Sequence, residues 1–168
     1  FSLRLQPRAA RAAMPVPHGR GRAGHKGRLH ALLHWPRSLQ AAKDNGAVKF
    51  QLLSDLHLET QPDLQFSPAP GADLLVLAGD VGSYQPGSAL PGDDFGLERF
   101  SPRRGWPVPV LFVPGNHEYD NLDFDETHAR LRDTCDRLGI TWLEREALVL
   151  DGVRFVGTTL WSDFDPIA

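Results

Sequence analysis

The stretch Pro107-Val108-Pro109-Val110-Leu111-Phe112-Val113-Pro114-Gly115-Asn116-His117-Glu118-Tyr119-Asp120 decides how the rest of the chain is read. Its apolar, β-branched centre predicts a short buried strand, which Pro114-Gly115 stops abruptly in front of an amide, an imidazole and a carboxylate. Two earlier stretches follow the same grammar. Residues 48–54 run into Asp55-Leu56-His57, and residues 74–79 run into Asp80. Open α/β sheets place their sites beyond the carboxyl ends of parallel strands, so three strands ending in ligand-type side chains are expected to bring those side chains together. The predicted fold class is α/β.

Outward from this stretch, charge divides the chain. Residues 1–47 hold nine Lys and Arg against the single acid Asp44, a net of +8, while residues 48–168 hold nine against twenty acids, a net of −11; together they give the formal −3. A basic, Ala/Arg/Gly/Pro-rich arm and an acidic, patterned domain obey different physics, which puts a boundary at Val48. Residues 1–47 are therefore read as a disordered or non-native arm, and 48–168 as the domain. The arm has the composition of a transit peptide, of a nucleic-acid-binding segment, or of upstream sequence joined to the true start of the domain. Within it, His30 and His34 lie four apart on the best helical candidate and are read as compositional.

Cys135 is the only cysteine, so no intrachain disulfide can form and a reducing compartment is favoured. No stretch approaches the roughly 20 apolar residues of a membrane span, and the first residues lack the apolar run of a secretory signal. The expectation is a cytoplasmic protein with no membrane partner.

Along the domain, Val48-Lys49-Phe50-Gln51-Leu52-Leu53 reads as a first strand and Leu74-Leu75-Val76-Leu77-Ala78 as a strand covered on both faces. Residues 81–107 are Gly/Pro-rich, with room for a short helix over 93–100 and a solvated edge at Arg99, Arg103 and Arg104. The clearest helix runs over 123–138, with Asp123 as N-cap, Glu126 at the third helical position and Gly139 just past the end. Phe124, His128, Leu131, Cys135 and Leu138 share one of its faces, where Cys135 is a small core residue and His128 a flanking one. Strands follow at 140–143 and 148–150, and Asp151-Gly152 predicts a two-residue hairpin turn into Val153-Arg154-Phe155-Val156.

If the first strand stays extended, Asp55 and His57 leave the same face and can grip one ion. Asp80 has two oxygens and can bridge two ions roughly 3.5–4 Å apart. Asn116 offers a neutral amide oxygen, and His117, displaced from the ligand direction, can donate a proton to a leaving oxygen.

Asp55-Leu56-His57, Gly79-Asp80 and Gly115-Asn116-His117-Glu118 resemble the first three signature motifs of the calcineurin-like metallophosphoesterase superfamily. Residues 158–164, Thr-Thr-Leu-Trp-Ser-Asp-Phe, resemble members described as predicted phosphohydrolases. The resemblance implies hydrolysis of phosphate esters by a metal-activated water at a two-metal site, with two divalent ions of the Mn, Fe, Zn or Mg type. It implies Asp55 and His57 on the first metal, Asp80 bridging, Asn116 on the second, and His117 in catalysis. The implied fold is a βα sandwich with α-β-β-α layers.

Two departures shape the expectation. Asp80 is followed by Val81-Gly82-Ser83-Tyr84, not by the Asp-Arg-Gly of the protein-phosphatase branch, so phosphoprotein substrates are not supported. No histidine follows His128, and Gly24-His25-Lys26-Gly27 lies in the wrong place to replace the family's later Gly-His-x-His segment. The domain is thus read as the amino-terminal part of the family's fold, cut before its last histidine ligands and impaired as an enzyme, with one face of its central strands left wet and residues 48–168 folding poorly alone. Two other functions fit less well. A non-catalytic scaffold for protein interaction needs none of the five motif residues, and a phosphodiesterase using its arm on nucleic acid must overcome an acidic remainder.

Overall fold

The structure, a computed structural model, describes residues 2–7, by their backbone alone, and residues 47–161. Its strands are β1 (Ser2–Pro7), β2 (Phe50–Leu53), β3 (Leu74–Ala78), β4 (Val110–Val113), β5 (Thr141–Trp142), β6 (Glu146–Leu150) and β7 (Val153–Thr158), with one α-helix, α1 (Phe124–Leu138), between β4 and β5. The strands β2-β3-β4-β5 form a parallel sheet in that order, with Phe50 opposite Leu74, Leu75 opposite Val110 and Leu111 opposite Thr141. A second, antiparallel sheet has the order β1-β7-β6. Its hairpin turns at Asp151-Gly152, both at positive φ, as an Asp-Gly turn of this length requires.

Strands β3 and β4 are buried at every position because different layers cover their two faces. On one side Leu75, Leu77, Val110, Phe112 and Trp142 pack with Leu131, Cys135 and Leu138 of α1. On the other, Leu74, Val76, Leu111, Val113 and Leu143 meet Phe155 of β7, flanked by Phe50, Leu148 and Leu150. The result is α/β, with a helix, a parallel sheet and an antiparallel sheet stacked in that order, three layers of the expected α-β-β-α sandwich. The expected wet face of the central strands is not observed, because the β6–β7 hairpin supplies its cover. Exposed apolar side chains remain on the edge strand of the parallel sheet, at Leu52 of β2, and on the hairpin, at Val149 and Val156.

Helix α1 follows its sequence signals at both ends. Asp123 accepts the N–H of Glu126 at 3.0 Å, and Gly139 closes the helix at φ +73. Cys135 is fully buried, and burial pushes its thiol well above the usual range, consistent with a core residue. Phe124 departs from the expected buried face. It sits in the first turn, 48% exposed, with its ring stacked 4.7 Å from that of Tyr119.

The helix expected over 93–100 contracts to one 3₁₀ turn, Leu97–Phe100. The nearby arginines hold loops in place. Arg99 donates to the carbonyls of Pro62 and Leu64, Arg103 donates to the carbonyl of Arg137 at the end of α1, and Arg104 pairs with Glu98. Strand β1 was not foreseen, since it lies in the basic arm. His30, His34 and Gly24-His25-Lys26-Gly27 fall outside the described residues, as do residues 162–164. Among the described residues, no helix is long and apolar enough to cross a membrane.

One buried contact ties the second sheet to the end of β4. The Thr159 hydroxyl lies 2.6 Å from the Pro114 carbonyl oxygen and 3.0 Å from Glu144 Oε2, which also accepts the Thr159 N–H at 2.6 Å. Replacing Thr159 with Val keeps the shape and removes the hydroxyl, leaving buried acceptors short of a donor. The expected loss is about 1–3 kcal/mol in urea unfolding; an unchanged midpoint would show that the tie contributes nothing.

Candidate metal centre

Because β2, β3 and β4 are parallel neighbours, their carboxyl ends lie along one edge of the sheet. The side chains beyond those ends are aimed by backbone turns and not by continued strands. β2 stops at Leu53, and Asp55 (φ +54), His57 (φ +45) and Asp80 (φ +53) are all left-handed. The extended Asp55–His57 segment expected from the sequence is therefore replaced by two left-handed residues flanking Leu56. Left-handed non-glycine residues cost on the order of 1–3 kcal/mol each and need surroundings that over-determine them. Here Asp55 N donates to Gly79 O, His57 N to Asp80 O and Leu58 N to Val81 O, while Leu56 and Leu58 are buried. The loops after β3 and β4 also touch backbone to backbone. A Cβ at Gly79, which sits at φ +84, would come within 2.6 Å of Gly115 N.

These turns bring three of the sequence-selected residues together. Asp55, His57 and Asp80 each offer one ligand atom, and the three atoms lie within 4.8 Å of one another. Asp80 Oδ1 accepts the backbone N–H of His117 at 2.9 Å, which fixes the Gly115–Asn116–His117 loop against the end of β3 and puts the exposed Asn116 one residue from that bond. Two carboxylates and an imidazole are a donor set suited to divalent cations of the Mg, Mn or Zn type. The residues present thus fit such ions.

Three further carboxylates organise the site, and the motif reading gave none of them a role. Glu118 is fully buried, and its Oε2 accepts from Gly115 N at 2.7 Å and Asp80 N at 3.1 Å. Its Oε1 accepts from Val81 N at 2.6 Å, with Gly82 N at 3.4 Å. Burial pushes the Glu118 carboxyl up to about 7, while the backbone N–H groups of Gly115 and Val81 pull the other way. Asp120 Oδ2 lies 2.5 Å from His117 Nδ1. Glu59, also buried, reaches His57 and His117 at once. One sequence signal points to Glu59: the polar–apolar alternation of Asp55-Leu56-His57-Leu58-Glu59 continues past the motif. Glu118 belongs to the quoted motif but was given no role there, and Asp120 carries no signal beyond adjacency.

An aromatic group flanks the His117 loop. The Tyr119 hydroxyl is 3.1 Å from His128 Nδ1, and the Tyr119 ring lies 5.6 Å from that of Trp161. Burial pushes the Tyr119 hydroxyl far up, so it remains protonated. His128 is thereby accounted for within this group, in line with its reading as a flanking residue.

A family model described as calcineurin-like phosphoesterase matches residues 48–163. Among curated proteins, the uncharacterized protein L509 of Acanthamoeba polyphaga mimivirus is 37% identical over 60 residues, a match covering 32% of this chain and 21% of that protein. The chain thus spans about a fifth of that relative's length. No solved structure gives a significant match.

Proposed function

The chain belongs to the calcineurin-like phosphoesterase family, and on that premise we propose that it hydrolyses phosphate esters at a two-ion centre held by Asp55, His57, Asp80 and Asn116, with His117 as proton donor. The observation that carries the reading is the meeting of three strand ends, where the ligand atoms of Asp55, His57 and Asp80 gather beside a loop bonded to Asp80. Divalent ions held there supply Lewis acidity toward the phosphoryl oxygens and an activated water.

The remaining work falls to the chain itself. Asp55 and His57 would hold the first ion, Asp80 would serve both, and Asn116 would hold the second. His117 delivers a proton to the departing oxygen, its ring oriented by Asp120 on Nδ1 and by Glu59 Oε1 3.2 Å from Nε2. Among the described residues, the candidate ligands lie on the loops after β2, β3 and β4. The substrate is a phosphate ester, and the absent Asp-Arg-Gly continuation after Asp80 directs the proposal away from phosphoproteins.

The test is metal analysis of the full chain after loading with Mn²⁺ or Zn²⁺ and desalting, beside hydrolysis of nitrophenyl phosphate mono- and diesters. Bound metal and hydrolysis that a chelator abolishes are expected. A chain that retains no metal and shows no chelator-sensitive hydrolysis would overturn the reading.

A further inference from the structure

Glu59 is only 2% exposed, and its two oxygens are divided among the three loops that build the centre. Oε1 lies 3.0 Å from His57 Nδ1 and 3.2 Å from His117 Nε2, and Oε2 accepts the backbone N–H of Ser83 at 3.2 Å. The two imidazole rings meet edge to face, with centroids 4.5 Å apart. A buried carboxylate is costly unless donors surround it, and those facing this one are two imidazoles and an amide.

With Oε2 accepting the Ser83 N–H and Oε1 facing both rings as an acceptor, His57 meets Oε1 by carrying its proton on Nδ1. Nε2 is then the unprotonated nitrogen, free to bind a cation. We propose that Glu59 is the positioning residue that sets His57 in this tautomer, presenting Nε2 to the ion shared with Asp55 and Asp80; this rests on the two-ion reading above. The same oxygen engages His117 Nε2, so one carboxylate sets the relative placement of the ligand imidazole and the proton donor. Partners of this kind on metal-bound histidines typically account for about 10–100-fold in metal affinity.

Glu59→Gln distinguishes this role from packing. Glutamine keeps the shape but has one accepting and one donating end. With its oxygen on the Ser83 N–H, its NH₂ group faces His57 Nδ1, which must then accept, and the ring proton moves to Nε2 where the cation would sit. The opposite orientation sets two donors against each other at Ser83.

The experiment is ring-nitrogen NMR on the full chain labelled with ¹⁵N-histidine, first metal-free and then titrated with Zn²⁺. Following the His57 resonances separates this site from the histidines of the arm. His57 is expected to be protonated at Nδ1 in the unaltered protein and at Nε2 in Glu59→Gln, with Zn²⁺ binding at His57 weakened about 10–100-fold in the variant. An Nε2-protonated His57 in the unaltered protein overturns the proposal even if the variant fails to fold. Unchanged tautomer and affinity in a folded variant overturn it as well, as does Zn²⁺ that binds His57 through Nδ1 together with His117, since the ion would then sit among His57, Glu59 and His117. If the unaltered chain takes up no Zn²⁺ at His57, the two-ion reading fails, while the metal-free tautomer still decides the role of Glu59.

Discussion

Glutamine at position 118 is expected to cost the fold about 3–5 kcal/mol, although it changes one atom and no volume. Both oxygens of Glu118 are filled by backbone N–H donors from two loops, Gly115 and Asp80 on one, Val81 and Gly82 on the other. Whichever oxygen becomes NH₂, two amides lose their acceptor and face another donor, in a site with no access to solvent. Alanine at the same position is expected to be milder than its size suggests, since the cavity is lined by polar amides that a water can satisfy. Urea unfolding of the three proteins checks this. A Glu118→Gln variant within about 1 kcal/mol of the parent would mean that the four-amide cradle does not hold the loops together.

The same cradle shows what the sequence could and could not reveal. Strand ends, the α1 caps and the Asp-Gly hairpin were legible because each depends on residues next to one another, through apolar runs, an Asp123–Glu126 pairing and a turn that needs positive φ. The convergence of Asp55, His57 and Asp80 was also legible, because parallel strands must end on one edge. How those side chains are aimed was not. Left-handed residues at Asp55, His57 and Asp80 are fixed by hydrogen bonds to Gly79, Asp80 and Val81, partners more than twenty positions away or across a turn. Nor could the sequence show that the β6–β7 hairpin folds over β3 and β4, since a hairpin signal states its turn and not the sheet it covers. Glu59 and Glu118 were hidden for a further reason. Glutamate is ordinarily a surface residue, and only the geometry of the loops makes these two buried organisers of backbone amides and imidazoles.

Asparagine at position 80 and asparagine at position 117 are expected to fail in different ways. Asp80→Asn can keep the bond to the His117 N–H through its amide oxygen, so the loop after β4 stays in place. It loses the negative charge and the second anionic oxygen, and a group meant to hold two cations then holds neither well. Metal content should fall at both positions, and hydrolysis of every phosphate ester should fall with it. His117→Asn removes none of the four proposed ligands and should spare metal content. What it removes is the imidazole that Asp120 holds at Nδ1, and with it proton delivery, typically worth about 10²–10⁴-fold in rate. That loss should be near its full size for an alkyl phosphate, whose leaving oxygen needs a proton, and should shrink for a nitrophenyl ester, whose leaving group departs as a stable anion. The decisive measurement is therefore a pair of ratios, metal bound per chain and the rate on alkyl against nitrophenyl substrates, for each variant. Equal metal loss in both variants would place His117 among the ligands, and full alkyl-phosphate activity without His117 would remove it from proton transfer.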